Sequence, residues 1–190
     1  MIFHSLDFAA FFLIVVTIYW RLSHRAQNLL LLGASYVFYG WIHPWFVLIM
    51  LASTTVDYWA GQRMEDDRAN RRRYLIASLA VNLGMLGYFK YTNFALSTLR
   101  PLLGQAGLDV PYLNVILPVG ISFYTFENLS YTIDVYRGHF KPARKFSDYL
   151  LFLSFFPKLV MGPIVRAHDF VPQINKPYII TESDFAKGFY

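Results

Sequence analysis

The chain contains no cysteine, which excludes a disulfide framework and any thiolate metal site. Charge is scarce: Asp, Glu, Lys and Arg make up 15% of the 190 residues, against about 25% in an ordinary soluble domain. Acids are the scarcer sign, 12 against 17 basic residues, for a formal net charge of +5. The P-loop, the dinucleotide-binding glycine pattern and the GxSxG elbow are all missing. No two of the five histidines stand at ligand spacing on one helix, so no metal site is expected. There is no basic n-region and no small-residue cleavage site before Trp20 and Arg21. The first apolar stretch therefore reads as retained, not as a cleaved signal. Repeats and low-complexity tracts are absent as well.

What is present is oil and aromatic surface. Hydrophobic residues make up 56% of the chain and aromatics 19%. No stretch is a clean apolar run of the roughly 20 residues that a bilayer-crossing helix needs, but several come close. This pattern predicts an all-α, polytopic membrane protein of about six membrane-embedded helices around a polar interior. The expected spans are 3–20, 26–41, 45–60, 74–91, 113–136 and 148–165. Trp41 and Trp45 flank the His43-Pro44 turn as an interfacial aromatic belt would. Residues 61–73 read as a polar loop. Residues 92–112, with Pro101, Gly104, Gly107 and Pro111, read as an interfacial helix and a loop, and 166–190 as an interfacial tail. Basic residues concentrate in 21–25, 61–73 and 137–145, whereas the His43-Pro44 turn has none and 92–112 has only Arg100. The positive-inside rule makes those three loops cytoplasmic and puts the N-terminus outside. Basic charge lodged between apolar segments also argues for a lipid bilayer as partner and against nucleic acid.

The most informative run is Leu117 to Gly138, LPVGISFYTFENLSYTIDVYRG. Pro118 and Gly120 break the helix at its start, and Glu127 and Asp134 stand where hydrocarbon is expected. A charge at the bilayer centre costs at least about 2.5–3.5 kcal/mol, so such groups usually line a pathway or a site. Helical spacing puts Glu127, Ser130, Tyr131 and Asp134 on one face. The bland readings are a hydrogen bond from Glu127 to a neighbouring helix and an interfacial pair of Asp134 with Arg137. A second constellation is Phe155 to Arg166, FFPKLVMGPIVR. Pro157 and the Gly162-Pro163 step make it kinked or re-entrant. Lys158 reads as snorkelling to an interface. Arg166 suits either a phosphate or carboxylate or a lipid-headgroup anchor. Asp57, near the end of the third span, reads as a cap or interface residue. His4, His24, His43, His139 and His168 fall at segment ends and turns, outside the deep parts of the spans.

Several of these stretches resemble the membrane-bound O-acyltransferases, in particular their bacterial alginate O-acetylation and D-alanyl-transfer branch. They are LPVGISFYTFE from Leu117, YTIDVYRG from Tyr131 and FFP…GPIVR ending at Arg166. NLLLLGASYVFYG from Asn28 and LGYFKYTNF from Leu86 match in the same order. The resemblance implies the N-terminal part of a helical ring in the bacterial cytoplasmic (inner) membrane. It further implies transfer of an acyl group, acetyl or D-alanyl, from a cytoplasmic thioester donor (acetyl-CoA or acyl carrier protein) toward an exported polysaccharide such as alginate. No bound cofactor is implied, and a separate periplasmic or extracellular acyltransferase is the implied partner. The family's catalytic histidine is expected C-terminal of Tyr190, which leaves no catalytic residue in this chain. Ser122, Tyr124, Glu127, Tyr131 and Asp134 would then be cavity wall, and Lys158 and Arg166 the cytoplasmic mouth. The competing readings are a transporter or channel subunit, whose broken helices and buried acids look alike, and a non-catalytic membrane scaffold.

Overall fold

The computed structural model describes residues 5–105, 115–159 and 162–177. Its helices are α1 (Leu6–Tyr19), α2 (His24–Ile42), α3 (Pro44–Asp66), α4 (Arg71–Leu86), α5 (Thr92–Gln105), α6 (Ile121–Arg137), α7 (Phe146–Ser154), α8 (Phe156–Leu159) and α9 (Ala167–Ile174), with a π-helical turn at Gly87–Tyr91. The described residues contain no strand, as an all-α chain requires. Several expectations lie outside the described residues: His4, the loop with Gly107 and Pro111, the start of the fifth span at 113, and the tail from 178 onward.

Local chemistry explains most of the helix ends. Ser5 caps α1 by accepting the Phe8 N–H at 3.2 Å, a preferred N-cap device. Pro44 opens α3 at a position where its missing N–H costs nothing. Asp67 closes the turn between α3 and α4 by accepting from the Asn70 N–H and side-chain amide and from the Tyr74 hydroxyl. That turn is much shorter than the 61–73 loop expected from the polar residues. Gln62 to Asp66 extend α3 instead, because charged residues with good helix propensity continue a helix into a polar surface. The expected boundary at Thr92 is also displaced. α4 passes through the π-helical turn into α5 without interruption, and Pro101 is accommodated inside α5.

α3, α4 and α6 pack mutually as a triangle, and α2 lies against α3 and α7. One apolar cluster joins Tyr39, Phe46 and Met50 to Leu86, Ile121, Tyr124 and Leu159. A second groups Met64, Tyr131, Val135, Tyr149, Phe152 and Val171. A third sets Phe156 against Val15, Ala34 and Phe38. Around these apolar cores, polar side chains are also buried and large apolar ones exposed. Ser53, Thr54, Asp57, Ser78, Asn82, Asn128 and Thr132 are buried, while Leu13, Ile14, Leu29, Val37, Leu48, Ile76, Leu83, Phe123 and Phe126 face outward. A buried polar group together with exposed large apolar residues departs from the usual partition. Even so, no helix among the described residues is long and apolar enough to cross a membrane. α1 has only 14 residues, about 21 Å at 1.5 Å per residue. The longest, α3, carries Asp57, Arg63, Glu65 and Asp66.

The two ends of the bundle differ. The three basic segments converge on one: Arg25 and Lys145 line one cleft, Arg71 stacks on Tyr136 at 4.9 Å, and Gln62 donates to the Ala143 carbonyl at 2.9 Å. At the other end His43, Trp45 and Phe46 meet Tyr88, Phe89, Val115 and Ile116 around a cleft whose lining has no Lys or Arg, with Lys90 next to it in the π-helical turn. Against this axis, the segment expected as one span over 148–165 is not one continuous helix. It leaves the basic end as α7, reaches Gly120 through α8, and is back at the basic end by His168, whose Nδ1 is 3.7 Å from Asp134. The segment is re-entrant because Ser154 to Pro157 breaks the helix and Gly162 turns the chain.

Gly120 and Gly138, both at φ 76°, bound α6 at its start and end. A side chain at Gly120 would bring a Cβ to 2.8 Å from the Leu159 carbonyl, whereas one at Gly138 meets open space. Left-handed backbone at a non-glycine residue costs on the order of 1–3 kcal/mol. Gly138→Ala is expected to lose about that much in denaturant or thermal unfolding of the detergent-solubilised protein, and Gly120→Ala to lose clearly more. Equal losses would show that the contact with Leu159 contributes nothing.

Candidate functional site

α6 carries the polar residues that the helical spacing aligned, and the re-entrant segment supplies their partners. Glu127, 5% exposed, receives the Lys158 ammonium at 2.6 Å. Its other oxygen accepts the Val165 N–H at 3.4 Å. Lys158 is itself buried, with its Nζ 4.3 Å from the Phe152 ring centroid and 5.4 Å from that of Phe170. These cation–π contacts take the place of water around the ammonium. The snorkelling expectation for Lys158 is thus overturned. Snorkelling needs a nearby water interface, whereas α8 carries this side chain inward to a carboxylate.

The remaining expected wall residues divide by depth. Tyr124 is buried beside Tyr39, whose hydroxyl donates to the Val119 carbonyl at 2.9 Å. This clamps the turn before α6. Ser122 is half-buried near the same turn. Ser130 donates back to the Glu127 carbonyl and faces no partner helix with its hydroxyl. Tyr131 is fully buried and accepts the Ala143 N–H at 3.2 Å, holding the loop after α6. Asp134 does not pair with Arg137. Its carboxylate faces His168 at 3.7 Å and His139 at 4.0 Å. Its carbonyl accepts the His139 and Phe140 N–H groups as the helix ends. Arg166 is exposed as the N-cap residue of α9, one residue after Val165, whose N–H reaches Glu127.

A second polar group went unread in the sequence. Asp57 is neither cap nor interface residue: α3 continues to Asp66, and Asp57 is fully buried. Its carboxylate accepts from the Ser78 hydroxyl and from the Asn82 amide at 2.8 Å. The chain of bonds continues from the Asn128 amide to Asn82 at 3.2 Å and from the Tyr149 hydroxyl to Asn128 at 2.7 Å. α3, α4, α6 and α7 are thereby tied at one level. The available signal was the i, i+4 spacing of Ser78 with Asn82 and of Asn128 with Thr132. Among the described residues no group of three or more His, Asp or Glu side chains could hold a metal ion.

These observations define an all-α bundle with a buried polar seam, entered by a re-entrant segment that delivers a lysine to a buried glutamate. Over 194 residues, 99% of this chain and 37% of the relative, the sequence is 41% identical to the "Probable alginate O-acetylase AlgI" of Pseudomonas aeruginosa. It is 40% identical over 181 residues to the protein of the same name from Pseudomonas putida. It is 29% identical over 188 residues to the "Peptidoglycan O-acetyltransferase" of Helicobacter pylori, covering 83% of this chain and 35% of that protein. No family model matches the chain, and no solved structure is significantly similar to it. The chain belongs to the membrane-bound O-acyltransferases, the family of these O-acetyltransferases. It spans little more than a third of the length of the relatives it matches.

Removing one partner of a buried ion pair strands the other charge and costs about 3–5 kcal/mol, whereas replacing both with apolar groups is often neutral. Lys158→Met is therefore expected to lower unfolding stability by about that amount. Glu127→Leu combined with Lys158→Met should recover most of it. A double variant as unstable as the single one would show that the pair does not act as a unit.

Proposed function

We propose that the complete protein is a multi-pass enzyme of the bacterial cytoplasmic membrane. It moves an acetyl group from a cytoplasmic thioester donor toward the hydroxyls of an exported polysaccharide, alginate being the example the relatives' names suggest. The observation that carries this reading is the match of nearly the whole chain to proteins named as O-acetylases. The buried polar residues and the many exposed large apolar ones support the membrane setting. The gathering of three basic segments at one end supports that end as cytoplasmic, with the N-terminus outside. Helices shorter than a full bilayer suit a core thinned around a polar interior, since mismatch is met by local thinning at modest cost.

In this reading acetyl-CoA or an acylated carrier protein delivers the thioester on the basic side. The exported-side acceptor is a separate acyltransferase. The residues of this chain build part of the wall: Glu127 and Lys158 hold the re-entrant segment against α6, and Ser122, Tyr124 and Tyr131 extend that wall toward the two ends. None of the five histidines serves as the general base. His24, His43, His139 and His168 all sit at helix ends or turns, away from the Glu127–Lys158 level.

Membranes carrying the full-length protein and its exported-side transferase, supplied with labelled acetyl-CoA, are expected to place label on the polymer. Omission of the protein abolishes the signal. Uptake of a solute by proteoliposomes of the same protein, with no label transferred, would instead establish a transporter.

A further inference from the structure

Two acids stand in the interior at the level of the polar seam, and they differ in company. Glu127 has the Lys158 ammonium beside it. Asp57 is fully buried, is bonded by the neutral side chains of Ser78 and Asn82, and belongs to no ion pair among the described residues. We propose that Asp57 carries a proton in the folded protein, as a neutral carboxylic acid, and that this proton locks α3 and α4 onto α6.

The supply of protons carries this. Three oxygen–oxygen contacts run in a line: Asp57 to Ser78, Ser78 to Thr132 at 3.1 Å, and Thr132 to the Asn128 carbonyl at 2.9 Å. A carbonyl only accepts, and each hydroxyl has a single proton to donate. Ser78 and Thr132 thus hold two protons for three contacts. With Asp57 as a carboxylate, one contact lacks a proton whichever way the hydroxyls turn. With Asp57 as an acid, its O–H donates to Ser78, Ser78 donates to Thr132, Thr132 donates to Asn128, and every contact is filled. Asn82 agrees. Its amide nitrogen, with two N–H groups, lies 2.8 Å from each carboxyl oxygen and 3.0 Å from the Ser78 carbonyl. Once one carboxyl oxygen is a donor, two acceptors remain for the two protons.

No neighbouring charge opposes this form. α6 and α7 bring the phenols Tyr131 and Tyr149 near Asp57. Tyr58, next to it on α3, packs on Phe146 and Tyr149. On α4, Arg71, Arg72 and Arg73 are exposed and Tyr74 is bonded to Asp67, a turn or more before Ser78. Tyr39 of α2 packs on Phe46, near the start of α3. Asp148 of α7 is bonded by Ser147. A carboxylate moved into an apolar interior without a counter-ion is so costly that the group becomes neutral instead. Unfolding returns the carboxyl to water, where it ionises and releases its proton. The folded state therefore binds one proton more, and its stability falls as pH rises.

The full-length protein in nanodiscs is compared by infrared spectroscopy with Asp57→Asn at neutral pH, where exposed carboxyls are ionised. A carboxylic-acid C=O band is expected in the wild type and its loss in the variant; any band from Glu127 cancels in the difference. The new carboxamide can donate to Ser78 and accept from Asn82, so the variant should fold. Melting is then followed from weakly acidic to neutral pH in neutral detergent. The unfolding equilibrium of the wild type is expected to move toward the unfolded state by about tenfold per pH unit more than that of Asp57→Asn, the effect of one proton. If Asp57→Asn does not fold, Ser78→Ala decides: loss of the acceptor should move the acid band to higher frequency. Identical carboxylic-acid spectra in wild type and Asp57→Asn overturn the proposal, as do parallel pH dependences or an unmoved band in Ser78→Ala.

Discussion

Lys158 can stand inside the bundle because Glu127 meets it at 2.6 Å, and that contact dictates how the chain after α7 must run. An uninterrupted helix from Phe146 would place residue 158 further along the same axis. The break at Ser154 to Pro157 instead sets α8 where its lysine reaches α6. Two glycines follow from the same demand. Gly120 leaves room for the Leu159 carbonyl, and Gly162 passes so close to Lys158 that an added Cβ would lie 2.5 Å from its Cα. The Val165 N–H then reaches the second carboxylate oxygen. A buried ion pair adds little net stability against an apolar substitute, because desolvation offsets the attraction. What it supplies here is a defined path for a segment whose composition would equally permit a crossing helix.

The Asp57 group works alongside the pair. Asn82, Asn128 and Tyr149 relay hydrogen bonds from the carboxyl through four helices, so the polar side chains of this group find partners without water. Inside a low-dielectric bundle an unpaired polar group is costly and a satisfied network is correspondingly rigid. The packing triangle of α3, α4 and α6 is held by polar bonds at its centre and by aromatic clusters above and below. Apolar residues freed from the core are thereby available to the outer surface.

How much of this was legible in the sequence depended on whether a residue's role was local. The break before α6 could be read because Pro118 and Gly120 act on their own backbone. The acidic face of α6 could be read because a helix fixes which residues align. The bends in the 146–174 segment could be read from Pro157 and Gly162, but whether they kinked a spanning helix or returned the chain was left open, since hydropathy carries no direction. Lys158 was misplaced for a related reason: its partner lies 31 residues away, and a lysine between apolar residues looks the same whether it reaches outward to water or inward to a carboxylate. Asp57 was misplaced because the helix was expected to end at Ala60. Once α3 runs to Asp66, the same residue lies mid-helix and must find donors on α4.

α6 also joins the interior to the basic end as one rigid body. Glu127 and Tyr131 are one turn apart, about 6 Å along the axis. Glu127 holds Lys158 and, through the Val165 N–H, the chain leading into α9, while Tyr131 holds Ala143 and with it the loop that presents Lys141 and Arg144. Gly61 permits the approach: a Cβ there would lie 2.9 Å from the Tyr131 hydroxyl, so α3 and α6 meet where the loop is anchored. Asp134, one turn further, reaches His168 on α9. A displacement of the loop or of α9 would therefore have to shift α6 or break its bonds to them. The basic-end loop, α9 and the buried ion pair thus share one element, α6.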